Sequence, residues 1–183
     1  VETLGGELVS YRDERGLEYT WGGDPAYWPG RNPLLFPIVG MLKEGKIRFD
    51  GREYAMERHG FARRREFTPA ARGEDWVRLE LRESAETLAL YPYSFRLAVE
   101  QRLTDTGFST AVTVANPGEG PLPFCLGAHT GFRCPLEAGE RFEDYELVFP
   151  ERESCPTLLL RDGLLDRPAA LPCLEDTDTL PLD

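Results

Sequence analysis

"SFRLAVEQRL", residues 94–103, is the stretch that decides the fold class of this chain. Apolar side chains fall on every second position over most of it: Phe95, Leu97, Val99 and Leu103. Because successive side chains of a β-strand point to opposite faces, this pattern predicts a strand with one face in a core. "VRLEL" (77–81) and "GFSTAVTVAN" (107–116) repeat the alternation, so we predict several half-buried strands.

Turn signals separate these strands. Asp50-Gly51, inside "IRFDGREYAM" (47–56), suits a tight turn and predicts a hairpin. "NPGEGP" (116–121) predicts a turn, and "FEDYELVF" (142–149) predicts another strand. Helix signals are scarce. The pattern as a whole predicts an all-β protein, an antiparallel sandwich or barrel, in a single domain spanning residues 1–183.

The last thirteen residues break the strand pattern. "LPCLEDTDTLPLD" (171–183) is acidic and contains two prolines, so we predict an exposed loop. The chain begins with Val1 rather than Met, and a domain seldom ends on a long loop. We therefore expect the chain to be part of a longer polypeptide. The alternative is a naturally shortened protein.

Composition excludes several classes of function. The net charge of −11 opposes binding to a nucleic-acid backbone, and no run of 18 apolar residues could span a membrane. No secretion signal is visible, so we expect a cytoplasmic protein with reduced thiols.

No pair among the four cysteines has C-x-x-C spacing and the two histidines lack ligand spacing, so a zinc site is not expected. The four cysteines are Cys125, Cys134, Cys155 and Cys173.

Three segments do not fit the plain strand pattern. In "YWPGRNPLLFPIVG" (27–40) a proline-rich loop precedes an apolar run and could hold Arg31 rigidly, as a fork for hydroxyls, carboxylates or phosphates. In "HGFAR" (59–63) Gly60 lets the backbone beside His59 turn or approach a ligand. "PFCLGAHTGFRCP" (123–135) again combines glycine, histidine and an aromatic residue, around His129.

The first two segments also have a plain structural interpretation. Arg31 could be a surface residue on an irregular loop, and His59 could only bond loop carbonyls. The basic cluster "RHGFARRR" (58–65) could be a solvated strand edge. Histidine is the side chain whose proton moves near neutral pH, so two histidines and an arginine at strand ends could also line one polar, sugar-binding pocket.

Several segments together resemble the aldose 1-epimerase (galactose mutarotase-like) family, and most closely its bacterial LacX-like branch. They are "LGGELVSY", "WGGDPAYWPGRNPLLFPIVGMLKEGK", "HGFAR", "YPYSFRL" and "GAHTGF". The resemblance runs from Leu4 to Asp183, and the long proline-rich segment is its most specific part. It implies a large antiparallel β-sandwich, here incomplete at its C-terminal end. It also implies acid–base interconversion of the α and β anomers of a free aldohexose, without a metal or an organic cofactor.

The resemblance also implies roles for individual residues. His129 matches the histidine that protonates the ring oxygen, and His59 matches the histidine that holds the substrate and supports this transfer. Arg31 matches the sugar-binding arginine, and Phe61 and Arg63 are expected to shape the pocket.

The chain departs from the family pattern at two places. Relatives of this kind commonly have proline after the histidine of "GAH", whereas this chain has Thr130, so we expect a more loosely held loop. The general base of the family is a glutamate in a C-terminal Glu-Pro-Trp segment, and this chain has no tryptophan after Trp76. A naturally shortened protein would therefore lack the base for concerted catalysis. No glutamate of this chain is a defensible substitute.

Four functions remain open at this level. Mutarotation of a hexose is the first, and a non-catalytic carbohydrate-binding module on the same fold is the second. Mutarotation of a sugar phosphate is the third and needs extra cations, which Lys43, Lys46 or Arg63 could supply. A purely structural interaction role is the fourth. The oligomeric state and the identity of the sugar are not predicted.

Overall fold

A computed structural model describes the backbone of all 183 residues and the side chains of all except residues 167–173. Strands and the turns between them dominate it, with one short helix. The strands are β1 Leu34–Leu35, β2 Lys46–Phe49, β3 Arg52–Ala55, β4 Thr68–Arg72, β5 Trp76–Arg82, β6 Arg96–Thr104, β7 Gly107–Ala115, β8 Gly127–Ala128, β9 Glu146–Arg161 and β10 Leu164–Pro181. The helix is α1 Ala85–Leu90, and single 3-10 turns lie at Lys43–Gly45, Ala62–Arg64 and Phe142–Asp144.

The central layer is a four-stranded antiparallel sheet in the order β4-β5-β6-β7. Its register places apolar residues opposite one another: Leu79 pairs with Val99, and Val99 pairs with Val112. Leu79, Leu97 and Val99 are at most 3% exposed. The predicted alternation is confirmed at these positions, and their shared apolar face forms one wall of the core. It fails at the end of β6, where Leu103 is 55% exposed, and Ala98 on the opposite face is also buried, at 3% exposure.

The segment 31–40 forms the other wall of the core, and we call it the central segment. Residues 32–38 are all buried although only Leu34–Leu35 is a strand. Phe36 lies at its centre, with no exposed surface, in a cluster with Phe61, Tyr91 and Phe95 at ring-centroid distances of 5.2 to 6.2 Å. Tilted and edge-on contacts of this kind are favourable for aromatic rings.

The predicted hairpin at Asp50-Gly51 is confirmed. β2 and β3 pair through Phe49 and Arg52, which leaves Asp50 and Gly51 as a two-residue turn. Both have positive φ, 47° and 79°, as the tight hairpin turn requires. Residues 116–121 form the predicted turn between β7 and β8.

A second, much longer hairpin joins β9 to β10. It corrects the loop prediction for residues 171–183, since β10 runs to Pro181. Proline and acidic residues are tolerated there because the hairpin is a separate two-stranded sheet whose outer edges carry no further strand in the described structure. The strand predicted at 142–149 is correct only from Glu146, because a 3-10 turn occupies Phe142–Asp144.

The described structure contains no helix long and apolar enough to cross a membrane. Cys125, Cys134 and Cys155 are free thiols. The side chain of Cys173 lies outside the described residues. An all-β architecture built from antiparallel pairs is confirmed, with α1 as an unpredicted helix between β5 and β6.

Candidate functional site

The central segment brings both histidines to one region. On one side β1 pairs with β8, so that Leu34 lies opposite Ala128, and the amide of His129 donates to the carbonyl oxygen of Pro33 at 3.1 Å. On the other side Phe36 forms a parallel bridge with Gly60. Two loops that are distant in the sequence are thus bonded to neighbouring residues of one buried strand-like segment.

His59 is held at both its backbone and its ring by Gly40. Its amide donates to the carbonyl oxygen of Gly40 at 2.8 Å, and the amide of Gly40 donates to its Nδ1 at 3.0 Å. Because a backbone N–H can only donate, Nδ1 is the unprotonated nitrogen and Nε2 carries the proton. Partial burial, followed by the charges of Arg58, Arg63 and His129, lowers the pKa of His59. His59 is therefore a neutral ring that offers an N–H donor.

The close approach of residue 60 to the central segment explains why His59 is followed by glycine. A Cβ at this position would lie 2.2 Å from the carbonyl oxygen of Phe36, and the residue has φ of +69°. The amides of Phe61 and Ala62 then donate to that same carbonyl oxygen, at 3.0 and 3.2 Å. Only glycine allows this close approach, which fixes the position of His59 against the central segment.

His129 lies on the surface and stacks on Trp28. The two rings have centroids 4.8 Å apart and are tilted by 33°. The loop after the histidine passes close under the tryptophans: a Cβ on Gly131 would lie 2.9 Å from Cζ3 of Trp28 and 2.8 Å from Cβ of Trp21. The indole N–H of Trp21 donates to the carbonyl oxygen of Trp28 at 2.8 Å, so the two tryptophans form a rigid support.

Arg31 lies beside this support. Its backbone carbonyl oxygen accepts a bond from the amide of Gly131 at 2.7 Å, which joins its loop to that of His129. Its Nε donates to the carbonyl oxygen of Gly22 at 3.1 Å, and Nη1 is 3.7 Å from a carboxylate oxygen of Glu2. The guanidinium is half-buried and held at Nε. Donors on its two terminal nitrogens remain for a ligand.

Thr130 is not as free as its departure from proline suggested. Its hydroxyl donates to the side-chain oxygen of Asn32 at 2.6 Å, and Asn32 is 8% exposed. Together with the bond from Gly131 to Arg31, this contact restrains the residues after His129. The expected loosening of this loop is therefore opposed by a hydrogen bond that proline could not make.

Phe61 and Arg63 follow His59 closely in the sequence, and the structure places their side chains in different environments. Phe61 is 4% exposed and packs on Phe36 and Phe95, so it belongs to the core and cannot contact a ligand directly. Arg63 is half-buried, and its Nη2 donates to the carbonyl oxygen of Arg58 at 2.9 Å. Its Nε is buried and has no hydrogen-bond partner among the described residues.

Three contacts at the site were not predicted from the sequence. They are the stacking of Trp28 on His129, the bond between Thr130 and Asn32, and the bonds of Glu7 to the backbone of Arg31 and Asn32. Trp28 stood out only as an aromatic residue in the proline-rich loop. The "GGE" of residues 5–7 belonged to a family-like segment, but no pattern indicated its partner.

The arrangement contains groups that can donate or accept protons at a hydroxylated ring. It offers a neutral imidazole N–H at His59, a solvent-facing imidazole at His129 and an oriented guanidinium at Arg31. Aromatic faces at Trp28 and Phe132, the latter 63% exposed, could cover the apolar face of a sugar. No aspartate or glutamate among the described side chains is hydrogen-bonded to either histidine.

Comparison with known proteins identifies the family. The sequence model of the aldose 1-epimerase family matches residues 1–163, and the chain therefore belongs to this family. It is 41% identical to the plasmid-encoded LacX protein of Lactococcus lactis subsp. lactis, and 40% identical to the chromosomal one. Each alignment covers all of this chain and 64% of the relative. The chain thus spans less than two thirds of the length of these curated relatives.

Solved structures agree with this assignment. A galactose mutarotase related enzyme from Lactobacillus acidophilus superposes with a TM-score of 0.92 at 28% identity, over all of this chain and 61% of that one. A galactose mutarotase-like protein from Lactobacillus casei gives 0.86 at 32% identity, over all of this chain and 63% of that one. The predicted large antiparallel β-sandwich of the galactose mutarotase type is confirmed.

Proposed function

We propose that this protein is a mutarotase that interconverts the α and β anomers of a free aldohexose in the cytoplasm. Membership of the aldose 1-epimerase family supports a mutarotase-like function in general. The observation that carries the specific proposal is the attachment of His59, His129 and Arg31 to one buried segment. This attachment supports a shared pocket that has two groups able to move or hold a proton and a guanidinium able to bind hydroxyls.

In the proposed reaction His129 gives its proton to the ring oxygen of the sugar while a base removes the proton of the C1 hydroxyl. The bond between C1 and the ring oxygen breaks and an open-chain aldehyde forms. Rotation about C1–C2 and the reverse proton transfers close the other anomer. His59 donates its Nε2–H to a substrate oxygen, and Arg31 binds hydroxyls.

The identity of the base is the open part of this scheme. The resemblance implies a glutamate, but the described side chains place no carboxylate in hydrogen-bond contact with either histidine. In this scheme concerted catalysis requires a carboxylate that can take the proton of the C1 hydroxyl. Without one, the same residues would bind a sugar and leave its anomeric equilibrium unchanged.

Polarimetry of freshly dissolved α-D-glucose and α-D-galactose tests the proposal. We expect faster mutarotation than in buffer and, in His129→Gln, a loss of about a hundredfold or more in kcat/KM. Arg31→Gln is expected to raise KM, with the exposed Arg48→Gln as its matched control. If NMR detects sugar binding but mutarotation is not accelerated, the proposed enzymatic function is contradicted and the carbohydrate-binding module is supported.

One observation favours a second candidate, mutarotation of a sugar that carries an anionic group such as a phosphate. Arg58 and Arg63 lie close enough to His59 to lower its pKa, and neither forms a salt bridge with a described carboxylate. An anionic substrate would supply the missing partner. Lys46, a cation considered from the sequence, is instead 3.5 Å from Glu53.

A comparison of the KM values of a neutral and a phosphorylated sugar distinguishes the two candidates. If the substrate is a sugar phosphate, glucose 6-phosphate should react with a lower KM than glucose, and Arg58→Gln should abolish the difference. Arg12→Gln, which removes an exposed arginine that pairs with Glu18, is the control. Equal KM values for the two sugars would contradict this candidate and leave the neutral hexose.

A further inference from the structure

The carboxylate of Glu7 lies beneath the loop that carries Arg31. Its Oε1 accepts the amide of Arg31 at 3.0 Å and the amide of Asn32 at 2.5 Å. Bonds from backbone amides to an ionised carboxylate are stronger than those between neutral groups. One side chain therefore holds two consecutive residues of the loop.

Glu7 is itself well anchored, so it can act as a fixed point. Gly5 and Gly6 before it are buried and have φ of +70° and +63°. The amide of Gly5 donates to the carbonyl oxygen of Arg65 at 2.8 Å. A Cβ on Gly6 would lie 2.6 Å from a methyl group of Val99, so this segment lies directly on the central sheet.

The two residues that Glu7 holds are the same two that hold the loop of His129. The carbonyl oxygen of Arg31 accepts the amide of Gly131 at 2.7 Å, and the side-chain oxygen of Asn32 accepts the hydroxyl of Thr130 at 2.6 Å. A continuous path of hydrogen bonds thus runs from Glu7 through Arg31 and Asn32 to the two residues after His129.

We propose that Glu7 is a positioning residue that sets the orientation of both Arg31 and His129 through this path. Its Oε1 is bonded to the backbone amides of Arg31 and Asn32, so its proposed role is exerted through these residues. His59 lies outside the path, because its own bonds go to Gly40. The role of Glu7 in catalysis rests on the proposed function, whereas its role in orienting the loops does not.

NMR of the full chain tests the orientation directly, since the protein has only two histidines. In Glu7→Leu we expect the ring signals of His129 to shift and the amides of Arg31 and Asn32 to exchange faster with solvent. The ring signals of His59 should stay in place. Glu7→Gln retains an oxygen acceptor and should restore the wild-type signals. Glu14→Leu, which removes an exposed glutamate, is the matched control.

Two results would overturn the proposal. Unchanged His129 signals in Glu7→Leu would show that the path does not reach this ring. Equal shifts of both histidines, with a lowered unfolding temperature, would show that Glu7 stabilises the fold in general.

Mutarotation provides a separate readout that rests on the proposed function. Glu7→Leu should lower kcat/KM by about tenfold or more, through a higher KM and a lower kcat together, because misplacement of catalytic groups is costly. Glu7→Gln should recover most of this loss. If the wild-type protein does not accelerate mutarotation, the proposed function fails while the NMR test of Glu7 still stands.

Discussion

The four-stranded sheet and the long hairpin are built from the same antiparallel pairing, yet their side chains have different environments. In the sheet, Leu97 and Val99 are at most 1% exposed. In the hairpin β9–β10, Val148 is 66% and Leu160 is 60% exposed. Both sheets are antiparallel, although the pairing of β9 with β10 contains several register shifts. The difference shows that strands form from local pairing, whereas a core requires a second layer.

The second layer of the sheet is the central segment, which also carries the site. Most described side chains of the hairpin are exposed, although Leu174 is buried at 7% exposure. The turn of the hairpin touches the body: a Cβ on Gly163 would lie 2.4 Å from the terminal methyl of Met41. Met41 directly follows Gly40, the residue that holds His59. Because the central segment covers the sheet and holds both histidine loops, stability and the geometry of the candidate site should depend on these two layers far more than on the hairpin.

Removal of the Phe95 ring, which joins the sheet to the central segment, should cause the largest loss of stability. Phe95 has no exposed surface and its ring centroid lies 5.2 Å from that of Phe36. Phe95→Ala should lower the free energy of unfolding by about 3 to 5 kcal/mol, through lost burial and a cavity. Urea unfolding followed by circular dichroism measures this. A loss below about 1 kcal/mol would show that the two layers do not form one core.

The second largest loss of stability should come from a change at Gly60, where the backbone closely approaches Phe36. Gly60→Ala places a methyl group against the carbonyl oxygen of Phe36 at a positive φ, and it should cost about 2 kcal/mol or more. Gly16→Ala is the control, since Gly16 also has a positive φ, of +82°, but has open space around it. It should cost about 1 kcal/mol. Equal losses would mean that backbone strain alone, without the contact to Phe36, determines the effect.

An isosteric change sharpens the comparison between sheet and hairpin. Val99→Thr buries a hydroxyl without a partner at a position 1% exposed, and should cost about 1 to 3 kcal/mol. Val148→Thr makes the same change at a position 66% exposed and should stay within about 0.5 kcal/mol. Thermal unfolding of both variants measures the difference. A similar loss in the two would show that the hairpin has a covering layer in solution.

The smallest expected effect is a dependence of stability on pH through His59. Burial, with the neighbouring charges of Arg58, Arg63 and His129, lowers the pKa of its ring below the ordinary 6.5. The unfolded chain then binds more protons than the folded one, so stability is complete above pH 6.5 and declines as the pH falls towards the lowered pKa. Urea midpoints at pH 7.5 and about pH 5.5 measure this decline.

Variants of the two histidines show which of them causes the dependence of stability on pH. His59→Gln should remove the decline, whereas His129→Gln should retain most of it, because burial is the largest cause of the shift at His59. A decline that persists in His59→Gln would place the responsible group elsewhere.

Much of the sheet was predictable, for a local reason. The alternation in β5, β6 and β7 has a period that only a strand with one buried face satisfies, and Asp50-Gly51 has the two residues that tolerate positive φ in a hairpin. The helix α1 was missed although Ser84 and Thr87 form a reciprocal cap, because it has only six residues and no apolar period. The tail was mistaken for a loop since proline and acidic residues are also compatible with a two-stranded hairpin whose side chains are mostly exposed.

The site was predictable only as a set of residue types. Phe61 shows the limit: the resemblance implied that it shapes the pocket, and its side chain packs in the core. The bonds of Glu7 and the stacking of Trp28 on His129 join segments that are distant in the chain, and no periodicity reports such contacts.

The sequence by itself determined the strands β5, β6 and β7, the tight turn at Asp50-Gly51 and the family to which the chain belongs. These follow from local patterns, since side-chain alternation and turn residues act over a few positions. Only the tertiary structure decided that Arg31, His59 and His129 share one buried segment, that Gly60 must be glycine, and that Glu7 holds the loops together. These facts depend on which layers pack against each other, and packing is a property of the whole folded chain.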